Sequence, residues 1–261
     1  MKILDPENLE SLPGRRLEDD TPFRFRCHPS VSCFNRCCRN LNLFLYPYDV
    51  LRLKRCLEIS SDAFLDRHVE VVLREGSAFP SVLLTMADNA ERTCPFLSPD
   101  GCTVYPDRPD TCRTFPIEVG RLYEADTGSG RPVYFFRPPD FCQGQHETQE
   151  WTISEWIADQ QAAEHQKMTR RWAELMRLFQ SDPWGAEGPQ GPRARMAFMA
   201  TYNLDGFREF VFASTFLKRY RVKPDLLRKL RRRDEALLGF GFDWVRWTVF
   251  GRPSPSFKPR R

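Results

Sequence analysis

Nine cysteines are the residues of this 261-residue chain whose type and spacing could do chemistry, and all of them lie between Cys27 and Cys142. Without Cys56, the spacing is Cys27-x5-Cys33-x3-Cys37-Cys38, then Cys94-x7-Cys102-x9-Cys112, then Cys142. Four thiolates complete the ligand set of a tetrahedral zinc ion or of an iron–sulfur cluster. Eight cysteines therefore amount to two such sets, and clustered cysteines in a reducing compartment are more often metal ligands or catalytic thiols than disulfides.

The adjacent pair Cys37-Cys38 bears on the number of centres. In an extended segment, neighbouring side chains point to opposite faces, so two adjacent cysteines serve two metal centres more easily than one. This suggests a binuclear site or two nearby mononuclear sites. The spacing matches neither a zinc finger nor the bacterial ferredoxin run, and it leaves the choice between zinc and iron open.

The composition limits the class of protein. The chain is 41% hydrophobic and 28% charged, which excludes wholesale disorder. A net charge of +4 is too small to require a nucleic-acid partner by itself. The longest apolar runs, such as Val82–Leu84, are far shorter than the ~20 residues of a membrane span, and the first residues do not resemble a signal peptide. We therefore expect a soluble cytoplasmic protein without a membrane partner.

The elements that must position the cysteines follow from the local patterns. Residues 1–22 are polar and proline-containing and predict an irregular lead-in, and residues 23–150 form the cysteine-bearing domain. Within it we predict a strand at 23–26, a helix capped by Asp49, a helix over 61–74, and a hairpin of strands 117–123 and 133–136 with its turn at 127–130. The two ends of the hairpin should bring Cys112 close to Cys142.

Residues 151–261 predict a helical C-terminal region, which makes the chain an α+β protein. Thr152 and Glu155 have the spacing of a capping box, with Trp151 and Trp156 as a hydrophobic staple. Further helices are predicted around 168–179, around 207–217, and from Pro224 to an end at Gly239 and Gly241, before a short last helix.

Several sequence segments, taken together, resemble the YkgJ-type cysteine-cluster family. The segments that carry the resemblance are the cysteine cluster at 27–38, Leu45-x-Pro-Tyr-Asp-Val-Leu-Arg-Leu53, Ser60-Ser-Asp-Ala-Phe-Leu65, Cys94-Pro-Phe-Leu97, Gly101-Cys-Thr-Val-Tyr105, Arg108-Pro109 and Cys112-Arg-Thr-Phe-Pro116. They cover about residues 25–142, and the spacers match as well as the cysteines. That family is described as zinc- or iron-chelating, with eight shared cysteines.

The resemblance implies a ligand set and a cofactor. The implied metal ligands are Cys27, Cys33, Cys37, Cys38, Cys94, Cys102, Cys112 and Cys142. The first spacer of five residues is longer than the two of the family motif. Cys56 lies outside the pattern, near the apolar face of its helix, and is interpreted as a buried inert thiol. The implied cofactor is an iron–sulfur cluster of the 4Fe-4S type, or zinc, in a redox or accessory role.

Two other functions are compatible with the sequence. One is a structural zinc scaffold that presents the helical region to a protein partner. The other is an iron–sulfur protein-modifying enzyme, since the family also resembles flagellin lysine N-methylases, although no glycine-rich methyl-donor loop follows a strand here. No catalytic residue is assigned.

The neighbours of the cysteines admit more than one role. Arg108 and Arg113 could donate to ligand sulfurs or pair with Asp107 and Asp110, and His28 or His146 could replace a cysteine. Residues 218–233 contain nine cations in sixteen residues, but no aromatic platform for nucleic acid is evident, so a solvated helix face or a protein partner is favoured.

Overall fold

The computed structural model describes residues 2–124 and 128–260 and divides the chain into two compact units. The cysteine unit consists of Met1–Leu41 and Met86–Lys167. The aromatic unit consists of Asn42–Thr85 and Met168–Arg261. Each unit is thus built from two separate stretches of chain, whereas the sequence patterns suggested consecutive regions.

The elements confirm an α+β chain with a helical C-terminal region. The strands are β1 (Lys2–Leu4), β2 (Arg15–Leu17), β3 (Phe23–Arg24), β4 (Phe44–Leu45), β5 (Val69–Val72), β6 (Ser81–Leu84), β7 (Leu97–Ser98), β8 (Gly101–Cys102), β9 (Ile117–Tyr123), β10 (Gly130–Phe136), β11 (Glu150–Trp151), β12 (Tyr220–Val222) and β13 (Phe257–Pro259). The helices are α1 (Pro47–Cys56), α2 (Ser61–His68), α3 (Asp110–Thr114), α4 (Ile153–Asp159), α5 (Ala163–Phe179), α6 (Pro192–Thr201), α7 (Leu204–Ala213), α8 (Phe216–Arg219), α9 (Pro224–Arg232) and α10 (Asp234–Phe250). No helix among the described residues is both long and apolar enough to cross a membrane.

The main sheet of the cysteine unit has the strand order β1-β9-β10-β2. Its centre is the predicted hairpin, in which β9 and β10 pair antiparallel from Ile117↔Phe136 to Tyr123↔Gly130. Thr127 of the predicted turn lies outside the described residues. The lead-in at 1–22 differs from the expectation of irregular chain, because β1 pairs parallel with β9 and β2 pairs antiparallel with β10. The strands β1 and β2 have three residues each, which is too short for an alternating hydrophobic pattern to be recognised in the sequence.

An aromatic cluster fills the cysteine unit beside this sheet. Phe23 and Phe25 pack edge-on against Trp156 at ring-centroid distances of 6.0 and 5.5 Å. The predicted capping box forms, with the Thr152 hydroxyl accepting from the Glu155 amide and the Glu155 carboxylate accepting from the Thr152 amide. The Trp151 and Trp156 rings lie 5.3 Å apart, as the predicted staple requires. The cap therefore fixes α4 where Trp156 enters the core.

The aromatic unit corrects three predicted boundaries. Asp49 is the third residue of α1 rather than its cap, since its carboxylate accepts from the Tyr46 amide and Pro47 opens the helix. The helix predicted over 61–74 ends at His68, and the β-branched run that follows forms β5. Gly239 and Gly241 lie inside α10 rather than at a helix end. A Cβ at Gly241 would stand 2.0 Å from the Ala200 carbonyl oxygen, so this glycine permits close contact with α6.

Candidate metal centre

The eight predicted ligands all belong to the cysteine unit, and none of the nine cysteines is in a disulfide. Cys56 alone belongs to the aromatic unit, which agrees with its exclusion from the ligand set. Its predicted burial is wrong, because Cys56 is exposed at the last residue of α1. The helix exposes this position because its buried residues end at Lys54.

The first cysteine, Cys27, is held by backbone pairing. Strand β3 pairs with β11, and beyond it the Phe25 amide donates to the Gln149 carbonyl over 2.9 Å and the Arg26 amide to the Gly144 carbonyl over 3.0 Å. A Cβ at Gly144 would lie 2.7 Å from the Arg26 carbonyl oxygen, so the close approach of the two segments requires glycine. This pairing brings Cys27 beside the segment that begins at Cys142.

The Cys33 and Cys142 side chains are hydrogen-bonded to each other. The Gln143 amide also donates to the Cys33 sulfur over 3.1 Å. Cys142 itself is placed by a turn in which its amide donates to the Pro139 carbonyl over 2.8 Å. Two cysteines that are 109 residues apart in the sequence are thus in contact.

Cys37 and Cys38 lie in a 3₁₀ turn, Arg36–Cys38, and not in the extended segment that the argument for two centres assumed. Asn35 precedes it at φ 63°, and the Cys38 amide donates back to the Asn35 carbonyl over 3.1 Å. A 3₁₀ helix has three residues per turn, so the adjacent side chains diverge by about 120° rather than pointing oppositely. The two thiols are hydrogen-bonded to each other, which raises the pKa of Cys37. The pair can therefore serve neighbouring centres or a single one.

Electrostatics defines a set of four thiols, which we call the first thiol cluster: Cys27, Cys33, Cys37 and Cys142. Burial raises the pKa of Cys27 to about 11, together with the negative charges that the other three would carry as thiolates. Burial and the nearby Cys33 raise the pKa of Cys142 as well. Thiolates this close repel one another unless a cation lies among them, so the cluster has the donor number and the charge demand of a tetrathiolate metal site.

A second group of thiols assembles around Cys94. The Cys94 amide donates to the Cys38 carbonyl over 2.8 Å, and the Asn40 amide to the Arg92 carbonyl over 2.9 Å, so the chain after Cys38 runs beside the chain before Cys94. Burial, and secondarily the charge of Cys102, raise the pKa of Cys94. Cys102 reaches it through the β7–β8 hairpin, where it pairs with Leu97. Cys38, Cys94 and Cys102 are thus held by one local framework.

Backbone amides donate to the sulfurs in both groups, a feature that the sequence analysis missed. The Gly144 and Gln145 amides donate to Cys142, and the Phe96 amide donates to Cys94. These bonds favour the thiolate and lower the pKa of each cysteine, against the effect of burial. In both groups, one donor is the backbone amide two residues after the cysteine: Phe96 for Cys94 and Gly144 for Cys142. In the sequence, the only signal of this arrangement is that the second residue after the cysteine is not proline.

Cys112 lies at the middle of the short helix α3, whose end is fixed by the Trp156 indole donating to the Thr114 carbonyl over 3.0 Å. Arg113 donates to the backbone carbonyls of Gln160 and Pro106. Arg108 donates to the Tyr105 carbonyl and to the side-chain Oε1 of Gln160. The two arginines thus tie α3 to the turn after α4. The approach of Cys112 to Cys142 stays a prediction.

The two histidines beside the cysteines have the following surroundings, and a role for either as a metal ligand stays a prediction. His28 lies 3.5 Å from the Glu147 carboxylate, and His146 is in the 3₁₀ turn Gln143–His146. Among residues 2–124 and 128–260, no group of three or more His, Cys, Asp or Glu side chains stands in a geometry that could hold a metal ion. The gathered thiols are a donor set of the right type and number rather than a completed coordination sphere.

Comparison with known proteins gives one match. The family model "CxxCxxCC: Putative zinc- or iron-chelating domain" matches residues 26–156, half of the chain. The matched residues include all eight predicted ligands. No curated protein and no solved structure matches the chain.

Proposed function

Because this chain belongs to the CxxCxxCC family of zinc- or iron-chelating domains, we propose that its cysteine unit binds metal through the eight cysteines named above, as two thiolate-ligated centres. The observation that carries the proposal is the first thiol cluster. Four thiols from two separate segments, residues 27–37 and Cys142, gather there. Each of Cys27, Cys37 and Cys142 has a raised pKa that a bound cation would reverse.

Each centre has its own candidate ligands. Cys27, Cys33, Cys37 and Cys142 would hold the first, and Cys38, Cys94 and Cys102 with Cys112 would hold the second. The hydrogen bond between Cys37 and Cys38 makes the two centres neighbours. This division gives four sulfurs to each centre, the number that zinc or a cubane cluster requires.

We further propose that the cofactor is an iron–sulfur cluster with a redox or accessory role, and that the protein works in a reducing compartment such as the cytoplasm. A cluster of this kind supplies one-electron transfer when bound. The residues that support it are the backbone donors at Gln143, Gly144, Gln145 and Phe96, because hydrogen bonds to ligand sulfurs are one of the factors that set a cluster's potential. The same donors suit zinc thiolates, so a structural zinc scaffold is the alternative.

Metal and acid-labile sulfide analysis of the full chain, purified without oxygen, distinguishes the two. Iron with equimolar sulfide and a visible absorbance that dithionite bleaches is the expected result. Colourless protein with stoichiometric zinc would overturn the iron–sulfur assignment and leave the thiolate sites. Protein that binds neither metal would overturn the proposed function itself.

Single Cys→Ser variants test the division into centres. Cys37→Ser and Cys94→Ser should each lose about half of the metal, and their double variant nearly all of it. Cys56→Ser is the matched control, with the same chemical change outside the ligand set, and should keep its full metal content. Complete loss in either single variant would show that all ligands serve one centre.

A further inference from the structure

The aromatic unit contains a small sheet with an unusual concentration of positive charge. Strands β12 and β13 pair antiparallel with the register Tyr220↔Pro259, Arg221↔Lys258 and Val222↔Phe257. Beyond the ladder, the Arg260 amide donates to the Arg219 carbonyl over 2.8 Å. The two strands and the residues that flank them bear a set of cations that we call the basic ribbon: Arg219, Arg221, Lys223, Lys258 and Arg260.

One face of this ribbon is apolar and packed. Val222 and Phe257 are buried, and the Tyr220 ring lies 5.6 Å from Phe257 and 5.1 Å from Trp244, centroid to centroid. Side chains of a strand alternate between its two faces, and the cations between these anchors are all exposed. The anchored face holds the ribbon rigid while the other face presents charge to solvent.

The charge of the basic ribbon is not neutralised within the described part of the chain. None of the ion pairs found there involves any of its five side chains. Arg221 and Lys258 are direct cross-strand neighbours, an arrangement in which like charges repel and destabilise a sheet. The helix α9 follows at once and adds exposed cations at Lys229, Arg231 and Arg232.

We propose that the basic ribbon is a docking surface for an extended acidic segment of a partner protein. Alternate residues of a strand are about 6.6 Å apart, so Arg221 and Lys223 have the period of carboxylates at every second position of an extended peptide. Lys258 and Arg260 repeat that period on the neighbouring strand. A peptide lying along the ribbon would neutralise both rows and relieve the Arg221–Lys258 repulsion.

The same surface fits nucleic acid less well. Proteins that bind single strands combine cations with exposed aromatic rings on which bases stack. The large exposed hydrophobic side chains among the described residues are Val71, Leu73 and Tyr105, and none of them belongs to the ribbon, whose aromatic residues pack inward. Charge without a stacking surface favours a carboxylate-bearing partner.

The test uses the full chain and a fluorescent peptide of alternating glutamate and threonine, (Glu-Thr)6, with anisotropy as the measurement. We expect saturable binding at low salt that weakens as salt is raised, and a loss of at least about tenfold in affinity in the Arg221→Glu/Lys258→Glu variant. Arg67→Glu/Arg195→Glu is the matched control. It makes the same charge change at two exposed arginines of the same unit and should bind like the unchanged protein.

A single variant separates docking from a structural role. Lys258→Glu places a carboxylate opposite Arg221, so it should raise the melting temperature while it weakens peptide binding. Equal peptide affinity in the ribbon and control variants would overturn the proposal. So would tighter ribbon-dependent binding of a twelve-nucleotide single strand, or of vesicles containing phosphatidylserine, than of the peptide.

Discussion

The two units of this protein use different means to order a chain. The aromatic unit packs rings densely: Phe79 is fully buried and stacks on Phe179 at 4.2 Å, with Trp172 at 5.8 Å and Trp184 at 6.3 Å. Among the described residues, the cysteine unit has clusters of buried apolar residues around Phe23, Phe25 and Trp156 and around Leu4 and Phe135. Thiols, backbone hydrogen bonds and side-chain hydrogen bonds such as those of Arg113 and Trp156 supply further long-range connections.

This difference indicates that only the cysteine unit needs a bound ligand to be fully ordered. Aromatic packing needs no added group, because rings such as Phe79, Trp172 and Phe179 are one another's partners within the chain. Clustered thiols need a bound cation to be stable as thiolates, because the negative charges repel each other. We therefore expect the aromatic unit to fold without metal and the cysteine unit to gain much of its stability from bound metal.

Metal removal should have the largest effect and should act on one unit only. Binding to thiolate sites contributes on the order of 10 kcal/mol in small metal domains. Chelation should therefore abolish amide protection in Met1–Leu41 and Met86–Lys167 while Asn42–Thr85 and Met168–Arg261 keep theirs. Hydrogen exchange with mass spectrometry measures this directly, and equal loss of protection in both units would remove the proposed contrast.

The pH dependence of metal binding should be the next largest effect. Because the pKa of Cys27 is raised to about 11, and those of Cys37 and Cys142 are raised too, all three are thiols at neutral pH in the metal-free chain. They bind metal as thiolates, so binding releases their protons and the association constant falls as pH falls, by about 1000-fold per unit for three protons.

Competition with a chromophoric chelator between about pH 6 and about pH 8 would measure this slope, after correction for the chelator's own protons. Cys56→Ser should give an unchanged slope. An affinity independent of pH would mean that the thiols are not the ligands.

Phe79→Ala should disrupt the aromatic unit and leave the metal sites intact. Removing a fully buried phenylalanine costs about 3–5 kcal/mol of unfolding free energy. We expect a lower denaturation midpoint with unchanged metal content. Val71→Ala, at a side chain that is 51% exposed, is the control and should cost well under 1 kcal/mol. Loss of metal in Phe79→Ala would show that the two units are not independent in this respect.

Thr152→Ala should give the smallest effect, confined to the cysteine unit. It removes the hydroxyl that caps α4, a change worth about 1 kcal/mol. Chelated protein should be affected more visibly than metal-loaded protein, because bound metal would hold the surrounding chain in place. Thr152→Ser restores the cap and serves as control, and thermal melts with and without chelator would report the difference.

The sequence predicted those parts of the molecule that depend on local patterns. The capping box at Thr152 and the hairpin of β9 and β10 are confirmed. Each depends on residues that are close together in the sequence. The eightfold ligand assignment stays a prediction.

The parts that were missed depend on distant chain. Strands β1 and β2 exist because β9 and β10 offer edges to pair with, and nothing in residues 2–17 announces that. Gly239 and Gly241 indicate the end of a helix in the sequence, but both lie inside α10, where Gly241 closely approaches Ala200 and Gly239 closely approaches the Arg171 side chain. The 3₁₀ turn at Cys37 likewise depends on Asn35 adopting positive φ, which its sequence permits but does not dictate.

The interleaving of the two units has a consequence for how the chain is made on the ribosome. Residues 42–85 emerge early, yet the helices that complete their unit begin at Met168. By the time those helices appear, Cys142 has been synthesised and every thiol of the first cluster is present. Vectorial synthesis therefore presents all four thiols of the first thiol cluster while Phe79 still lacks its ring partners Trp172 and Phe179. Metal supply during translation, rather than after release, would decide whether the nascent protein matures before that waiting segment aggregates.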